Sequence, residues 1–467
     1  MAGRLKKGAV AALSMVSVVA TAQQAVNIRP LFTQDERIAV QEYWAEPDRY
    51  VVKYLPLPWQ AVYSSEASVW LFKFYRACSK GGRVVPTLNP TPANEQQKRW
   101  FDWINQKYEF DRARAQEAAL QANNDLTDSL NSRRTIAQPS PGTCPDDLVG
   151  LAGEPPKFWV VDKPHTYTVN FGDCSIPYKD NVFVRPKYPY FRYNIGVNSE
   201  GEPVKKLPAS EMASLMTDAG LNRTESNVMT AVSQLEGGFD SVNTYDSGYV
   251  SVGLVQFATL KAGAGSLGRV LSDLKQHDPV NFQRDFRRFG VDVTENGVLS
   301  VVDIYTALEK QGYDANLQII QDKRLVAVLQ RAGQRRPFRI AQLRVARQMF
   351  YPLSDEITVR LNGRDVKGHV GDIVRSEAAL ATLMDRKVNT GGLAPLNAVL
   401  TEVASAHGAA RIADLAKYEA EVMRRMKYRR DFSKTLTLTQ PTTTPAVVAS
   451  TPNSKKVAPA ANKPKSR

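Results

Sequence analysis

Two carboxylates ten positions apart, Glu236 and Asp246, are the residues of this chain whose type and setting could do chemistry. A protonated acid on one side of a bond to oxygen can protonate the leaving group, while a second carboxylate opposite supplies charge or acts as a base. Glu236 is the expected proton donor. Burial among Leu235, Phe239, Val252 and Phe257 would raise its pKa to ~6 and keep it protonated near neutrality. Asp246 is the expected second carboxylate, with Asp240 next in line. Asn243, Tyr245, Ser251 and Gln256 add groups able to hold a hydroxylated substrate, with Asp240 among them. A competing role stays open for Asp246, because Asp beside Gly often closes a turn.

The elements that must position these residues follow from local pattern. Val228, Met229, Val232 and Leu235 recur at helical spacing, and Asn222 with Glu225 has the capping-box spacing that starts a helix. Gly237 and Gly238 are expected to end that helix through left-handed backbone, so Glu236 stands at its terminus. Beyond a turn at residues 246–248, the alternation of Tyr249, Val250, Ser251 and Val252 predicts a hairpin lying across the helix end.

Glu236 with Phe239, followed by Ser251, Gly253, Leu254, Val255, Gln256 and Phe257, resembles the lysozyme-like superfamily, in particular goose-type lysozymes and soluble lytic transglycosylases. Chitosanases of that superfamily carry a second carboxylate where Asp246 lies. Residues 383–391 also resemble the late helix end of muramidase-type lysozymes, with Met384 in place of an aromatic and with structural roles expected for Asp385 and Asn389. Gly238 and the inserted residues 243–246 depart from the transglycosylase pattern. The resemblance implies a lysozyme-like domain over residues 208–432 and cleavage of a cell-wall glycan, by a peptidoglycan glycosidase or lytic transglycosylase. In a transglycosylase the substrate's own N-acetyl and 6-hydroxyl groups complete the chemistry and Asp246 is not needed. Two alternatives remain: a chitosanase-like hydrolase of glucosamine polymers, or a non-catalytic wall-binding protein on the same fold. A formal charge of +14 over 467 residues suits an anionic partner better than a cationic sugar.

Residues 1–22 read as a signal peptide, with Arg4, Lys6 and Lys7 before an apolar run and a small-residue cleavage site. The protein is therefore expected to be exported to the periplasm, the extracellular space or the cell wall, without a transmembrane helix. Residues 433–467 form a basic tail rich in Thr, Pro and Lys, expected to be disordered and able to hold anionic wall polymers. No nucleic-acid partner is expected. The scattered cysteines and histidines fit no metal site, and no cofactor is expected. A Cys144–Cys174 bridge is expected if the compartment is oxidising, leaving Cys78 single.

The fold expected is α+β, mainly α: a C-terminal lysozyme-like helical domain with small β-hairpins, preceded by a mixed α+β region of unknown role over residues 28–207. That region has a long polar helix over residues 95–120 and short strands near 158–161, 167–171 and 182–184. Aromatics at 188–193 read as a half-buried strand. Further on, helices are expected over residues 314–332, 338–350, 372–388 and 396–428, and two-residue turns at Asn296-Gly297 and Asn362-Gly363. Gly263, Gly265 and Gly268 match a dinucleotide-loop pattern, but with no βαβ repeat around them they read as a hairpin-to-helix connection. The arginines at 331, 335, 336, 339, 344 and 347 read as an ion-paired helix face.

Overall fold

The side chain of Thr33 accepts the Glu36 N–H while the Glu36 carboxylate takes that of Thr33, and this capping box starts α1 (Gln34–Ala45). The computed structural model describes residues 29–79, 91–124, 138–179, 196–234, 237–246, 248–426, 430 and 432–441. After α1, strand β1 (Tyr50–Tyr54) leads into an excursion comprising β2 (Gln60–Tyr63), α2 (Ser65–Cys78), α3 (Glu95–Asn124), α4 (Asp146–Ala152) and β3 (Trp159–Asp162). This excursion has its own aromatic core, including Tyr63, Trp70, Phe74, Trp100, Tyr108 and Phe158. The chain returns as β4 (His165–Asn170), which pairs antiparallel with β1, Tyr50 opposite Val169 and Tyr54 opposite His165. β5 (Ser175–Lys179) completes that sheet, and β6 (Asn198–Ser199) follows.

A larger core joins Phe32, Trp44, Phe171 and Ile176 to residues as distant as Phe257, Leu329 and Leu400. Core packing thus runs across residue 207, the expected boundary between the two regions, and includes residues of α1, β4 and β5. The expected strands at 182–184 and 188–193 lie outside the described residues.

The second half begins with α5 (Ala209–Asp218) and α6 (Arg223–Ser233), then β7 (Val242–Asn243), β8 (Ser251–Val252) and β9 (Phe257–Ala258). Next come α7 (Ser266–His277), α8 (Pro279–Asp285), the sheet β10 (Val291–Val293), β11 (Leu299–Val302) and β12 (Glu309–Gln311), α9 (Tyr313–Gln321), α10 (Lys323–Gly333) and α11 (Arg336–Phe350). A hairpin of β13 (Glu356–Leu361) and β14 (Arg364–His369) precedes α12 (Glu377–Thr390), α13 (Leu396–His407) and α14 (Glu419–Arg425). With fourteen α-helices and only small antiparallel sheets among the described residues, the fold is α+β, mainly α. No described helix is long and apolar enough to cross a membrane.

Several local expectations are corrected by specific contacts. The helix expected over 314–332 is two helices, because the Asp322 side chain accepts the Arg324 N–H and caps α10. The one expected over 396–428 stops at His407, where Gly408 takes φ 61°. Asn362 and Gly363 both have positive φ and make the expected two-residue turn. At Asn296-Gly297 only Gly297 does, and the loop spans three residues between Thr294 and Val298, with the Val298 N–H donating to the Thr294 Oγ1 at 3.0 Å.

Cys78, Cys144 and Cys174 are all free thiols, Cys144 packing on the aromatic core and Cys174 on the larger one, so the expected Cys144–Cys174 bridge is absent. The chain also stays docked past residue 433. Leu438 is buried, Thr439 N–H bonds the Glu377 carboxylate at 2.9 Å, and Ala378 N–H bonds the Thr439 carbonyl at 3.1 Å. Residues 442–467 of the expected tail lie outside the described residues, as does the expected signal peptide.

The glycines of the dinucleotide-like pattern serve internal packing. A Cβ on Gly265 would strike the Ala258 carbonyl and one on Gly268 the Gly297 carbonyl, so their bareness admits neighbouring backbone. The arginine series is ion-paired: Arg331 with Asp173 and Asp285, Arg335 with Asp173, Arg336 with Asp218, Arg339 with Glu211, Arg344 with Asp273, and Arg347 with Glu225.

Candidate functional site

The helix that leads into the site starts where its sequence says it should. Asn222 Oδ1 accepts the Glu225 N–H at 3.0 Å and Glu225 Oε2 accepts the Asn222 N–H at 2.9 Å. Val228, Met229 and Val232 are fully buried along α6, and Asn227 Nδ2 bonds Glu377 Oε1 at 2.8 Å, docking α6 on the start of α12. The helix ends at Ser233 with Gln234 as C-cap. Leu235 and Glu236 lie outside the described residues, so the expected proton donor has no described geometry.

The chain is described again from Gly237. Gly238 donates its N–H to the Glu200 carbonyl at 3.0 Å, and a Cβ on it would strike the Glu202 carbonyl. Its φ is not left-handed, so Gly238 is required for close approach of residues 200–202 rather than for the helix-closing backbone expected of it. Asp240 is 5% exposed and fully engaged: Oδ1 accepts the Glu202 N–H at 2.8 Å and Oδ2 the Gln334 amide at 3.3 Å. It braces the loop against the end of α10, where a Cβ on Gly333 would collide with the Phe239–Asp240 backbone.

A four-stranded antiparallel sheet follows in the order β6-β7-β8-β9, with Asn243 opposite Ser251 and Val252 opposite Phe257. Four of the expected site residues gather at one end of it. Asp246 Oδ1 accepts the Gly248 N–H at 2.7 Å and Oδ2 accepts Asn243 Nδ2 at 3.0 Å, while Asn243 Oδ1 takes the Tyr245 N–H at 3.1 Å. A Cβ on Gly248 would lie 2.6 Å from Ser251 Oγ and 3.1 Å from Asp246 Oδ1, which places those two side chains around the same glycine. Tyr245 is half-buried and packs against the aromatic core of the excursion, so this end of the sheet lies at the seam between the two cores.

Gln256 is separate from that group. At φ 54° its amide donates to Ser241 Oγ at 2.7 Å and to the Gly253 carbonyl at 3.1 Å, fixing the β8–β9 turn. Asp240 and Gln256 thus brace neighbouring segments, whereas Asn243, Tyr245, Asp246 and Ser251 are gathered together as the candidate site. Asn389 Nδ2 bonds both the Asp385 carbonyl, at 2.7 Å, and its carboxylate, at 3.2 Å, a local helix contact in keeping with the structural roles expected for the two.

Two contributors were not anticipated. Gln342, fully buried on α11, bonds both the Phe239 carbonyl and the Leu254 N–H. Its signal in the sequence was a polar residue at the helical spacing of Phe338 and Val345, on a face that is otherwise apolar. Tyr249, at φ 67°, stacks edge-on against Tyr313 with ring centroids 5.9 Å apart. Tyr178 on β5 is buried, and burial, then the neighbouring Asp240 charge, pushes its hydroxyl well above the ordinary tyrosine value.

A groove of about 440 Å³ lies away from these residues, between the start of β13 and the loop before α13, lined by Asp355, Ile357, Lys387, Leu393 and Pro395. Among the described residues no cluster of His, Cys, Asp or Glu is placed to hold a metal ion. Comparison with protein-family models, with curated proteins and with solved structures gives no match.

Proposed function

We propose that the chain cleaves a cell-wall glycan, as a peptidoglycan glycosidase or lytic transglycosylase, with Glu236 as general acid. The observation that carries this reading is the close juxtaposition of three things: the end of a capped, buried helix, a small antiparallel sheet built from residues 242–258, and a seam between two cores. Seams between packed units are where ligands bind in many proteins. Protonation of the glycosidic oxygen is the step required of Glu236, and general acid catalysis is typically worth ~10² to 10⁴ in rate.

The bonds Asp246 makes support the version of the mechanism in which it shapes the turn. Both its oxygens are already engaged, one by a backbone N–H and one by the Asn243 amide. Substrate groups then complete the reaction, as the resemblance to lytic transglycosylases implies. Asn243 and Tyr245, both half-buried, are the side chains proposed to meet the sugar, whereas Ser251 is buried. Export to the periplasm or cell wall belongs to the same proposal, as does attraction of the cationic chain to anionic wall polymers.

Digestion of purified peptidoglycan, with soluble products read by mass spectrometry, tests the reading. Anhydro-muramyl ends are expected for a transglycosylase and new reducing ends for a hydrolase. Release of sugar only from a glucosamine polymer would move the assignment to a chitosanase-like activity, and binding of the wall without release of any sugar would contradict cleavage.

A further inference from the structure

We propose that Gln342 is a positioning residue that sets the spacing between the turn after α6 and the β8–β9 hairpin. The inference rests on the glycan-cleaving reading above. Gln342 is 0% exposed, and its one planar amide reaches both segments: Nε2 donates to the Phe239 carbonyl at 2.9 Å and Oε1 accepts the Leu254 N–H at 3.1 Å. Phe239 belongs to the first half of the motif and Leu254 to the second, and neither bond is part of a helix or strand ladder.

The surrounding geometry is built for that amide. Gly253 has φ 86°, and a Cβ there would fall on Gln342 Oε1, so the hairpin turn is left bare where the amide inserts. From the other side Ser241 holds the same two segments: its carbonyl accepts the Gly253 N–H at 2.9 Å, and its Oγ donates to the Gly253 carbonyl at 3.1 Å. Phe338, Ala341, Val345 and Ala346 around Gln342 on α11 are buried and apolar. A polar group at such a position is costly unless both its donor and its acceptor are used, and here both are. Only a side chain presenting a donor and an acceptor on one plane can make this tie, which excludes Leu by chemistry and an ionised carboxylate by its lack of a donor.

Misplacement of a reacting group by ~1 Å costs ~10² in rate, so loosening the two halves of the motif is expected to act on turnover rather than binding. The test uses the full chain on purified peptidoglycan and compares wild type, Gln342→Leu and Gln342→Glu. For Gln342→Leu, kcat is expected to fall by ~10² while KM changes little, and the Leu254 amide is expected to lose hydrogen-exchange protection that the amides of α11 keep.

Gln342→Glu distinguishes positioning from packing. A protonated carboxyl can still donate to the Phe239 carbonyl and accept from Leu254, so activity relative to wild type is expected at acid pH and its loss as pH rises through the introduced group's titration. A Gln342→Leu protein with wild-type kcat, or a Gln342→Glu protein with an unchanged pH profile, would overturn the proposal. If wild type releases no sugar from any glycan, the cleavage reading and the catalytic role of Gln342 both fail. Exchange at Leu254 then reports separately whether the tie itself exists.

Discussion

Whether Asp246 is an acid–base group or a turn former is a question of single atoms. Its two oxygens accept from Gly248 and from Asn243, and an asparagine in its place keeps an oxygen for the Gly248 N–H. Asp246→Asn is therefore expected to retain activity within a few-fold of wild type by steady-state kinetics. A loss of ~10² or more would show that the carboxylate charge is required in the reaction. Asp240 is a second such case: a carboxylate that looked available in the sequence is engaged by the Glu202 N–H and the Gln334 amide. Glycines were also only half legible. Gly238 was expected to relax the backbone, whereas it makes room for residues 200–202.

Among the elements, α6 matters most, because it leads directly into the motif. Its stability depends on the reciprocal Asn222–Glu225 cap and on Arg347, which bonds the Glu225 carboxylate at 2.8 Å. Asn222→Ala is expected to cost about 1 kcal/mol in urea unfolding. An unchanged midpoint would mean that tertiary contacts alone hold the start of the helix. This cap and the buried face of Val228, Met229 and Val232 were readable in the sequence because both are set by residues within a few positions. The Asn362-Gly363 turn was readable for the same reason. What was not readable depends on remote partners: the Gln342 tie, the docking of Leu438 and Thr439 on α12, and the return of β4 to β1 after an excursion of more than a hundred residues. Local periodicity says which face of an element is apolar, not which distant segment covers it. The break at Asp322 was hidden because helical spacing continues through a capping residue.

On the scale of the whole molecule, buried ion networks join the elements. Arg331, 1% exposed, bonds Asp285 at 3.1 Å and Asp173 at 2.7 Å and lies over the Phe171 and Phe289 rings. The hydrogen bond from Arg331 is the main reason the Asp173 carboxyl is held well below the usual carboxylate range. At Glu309 burial pushes the pKa up, but bonds from Leu31 N–H, Ser300 and Phe32 N–H outweigh it and leave the group below its ordinary value. Groups lowered in the folded state bind fewer protons there than in the unfolded chain. Their stabilisation is thus present above an unfolded pKa of ~4 and is lost as pH falls through the folded values. Urea unfolding from pH 7 to pH 2 is expected to show falling stability on the acid side. Asp173→Asn is expected to be less stable at neutrality but to lose less on acidification, and an acid limb identical to wild type would contradict a role for Asp173.

The cleavage reading itself is tested most directly by Glu236→Gln in the full chain, incubated beside wild type with purified peptidoglycan and read by mass spectrometry of the released sugars. Muramyl products are expected from wild type, with a drop of ~10² or more in the variant and unchanged binding of the variant to the wall. Equal product release by the two proteins would contradict Glu236 as the acid.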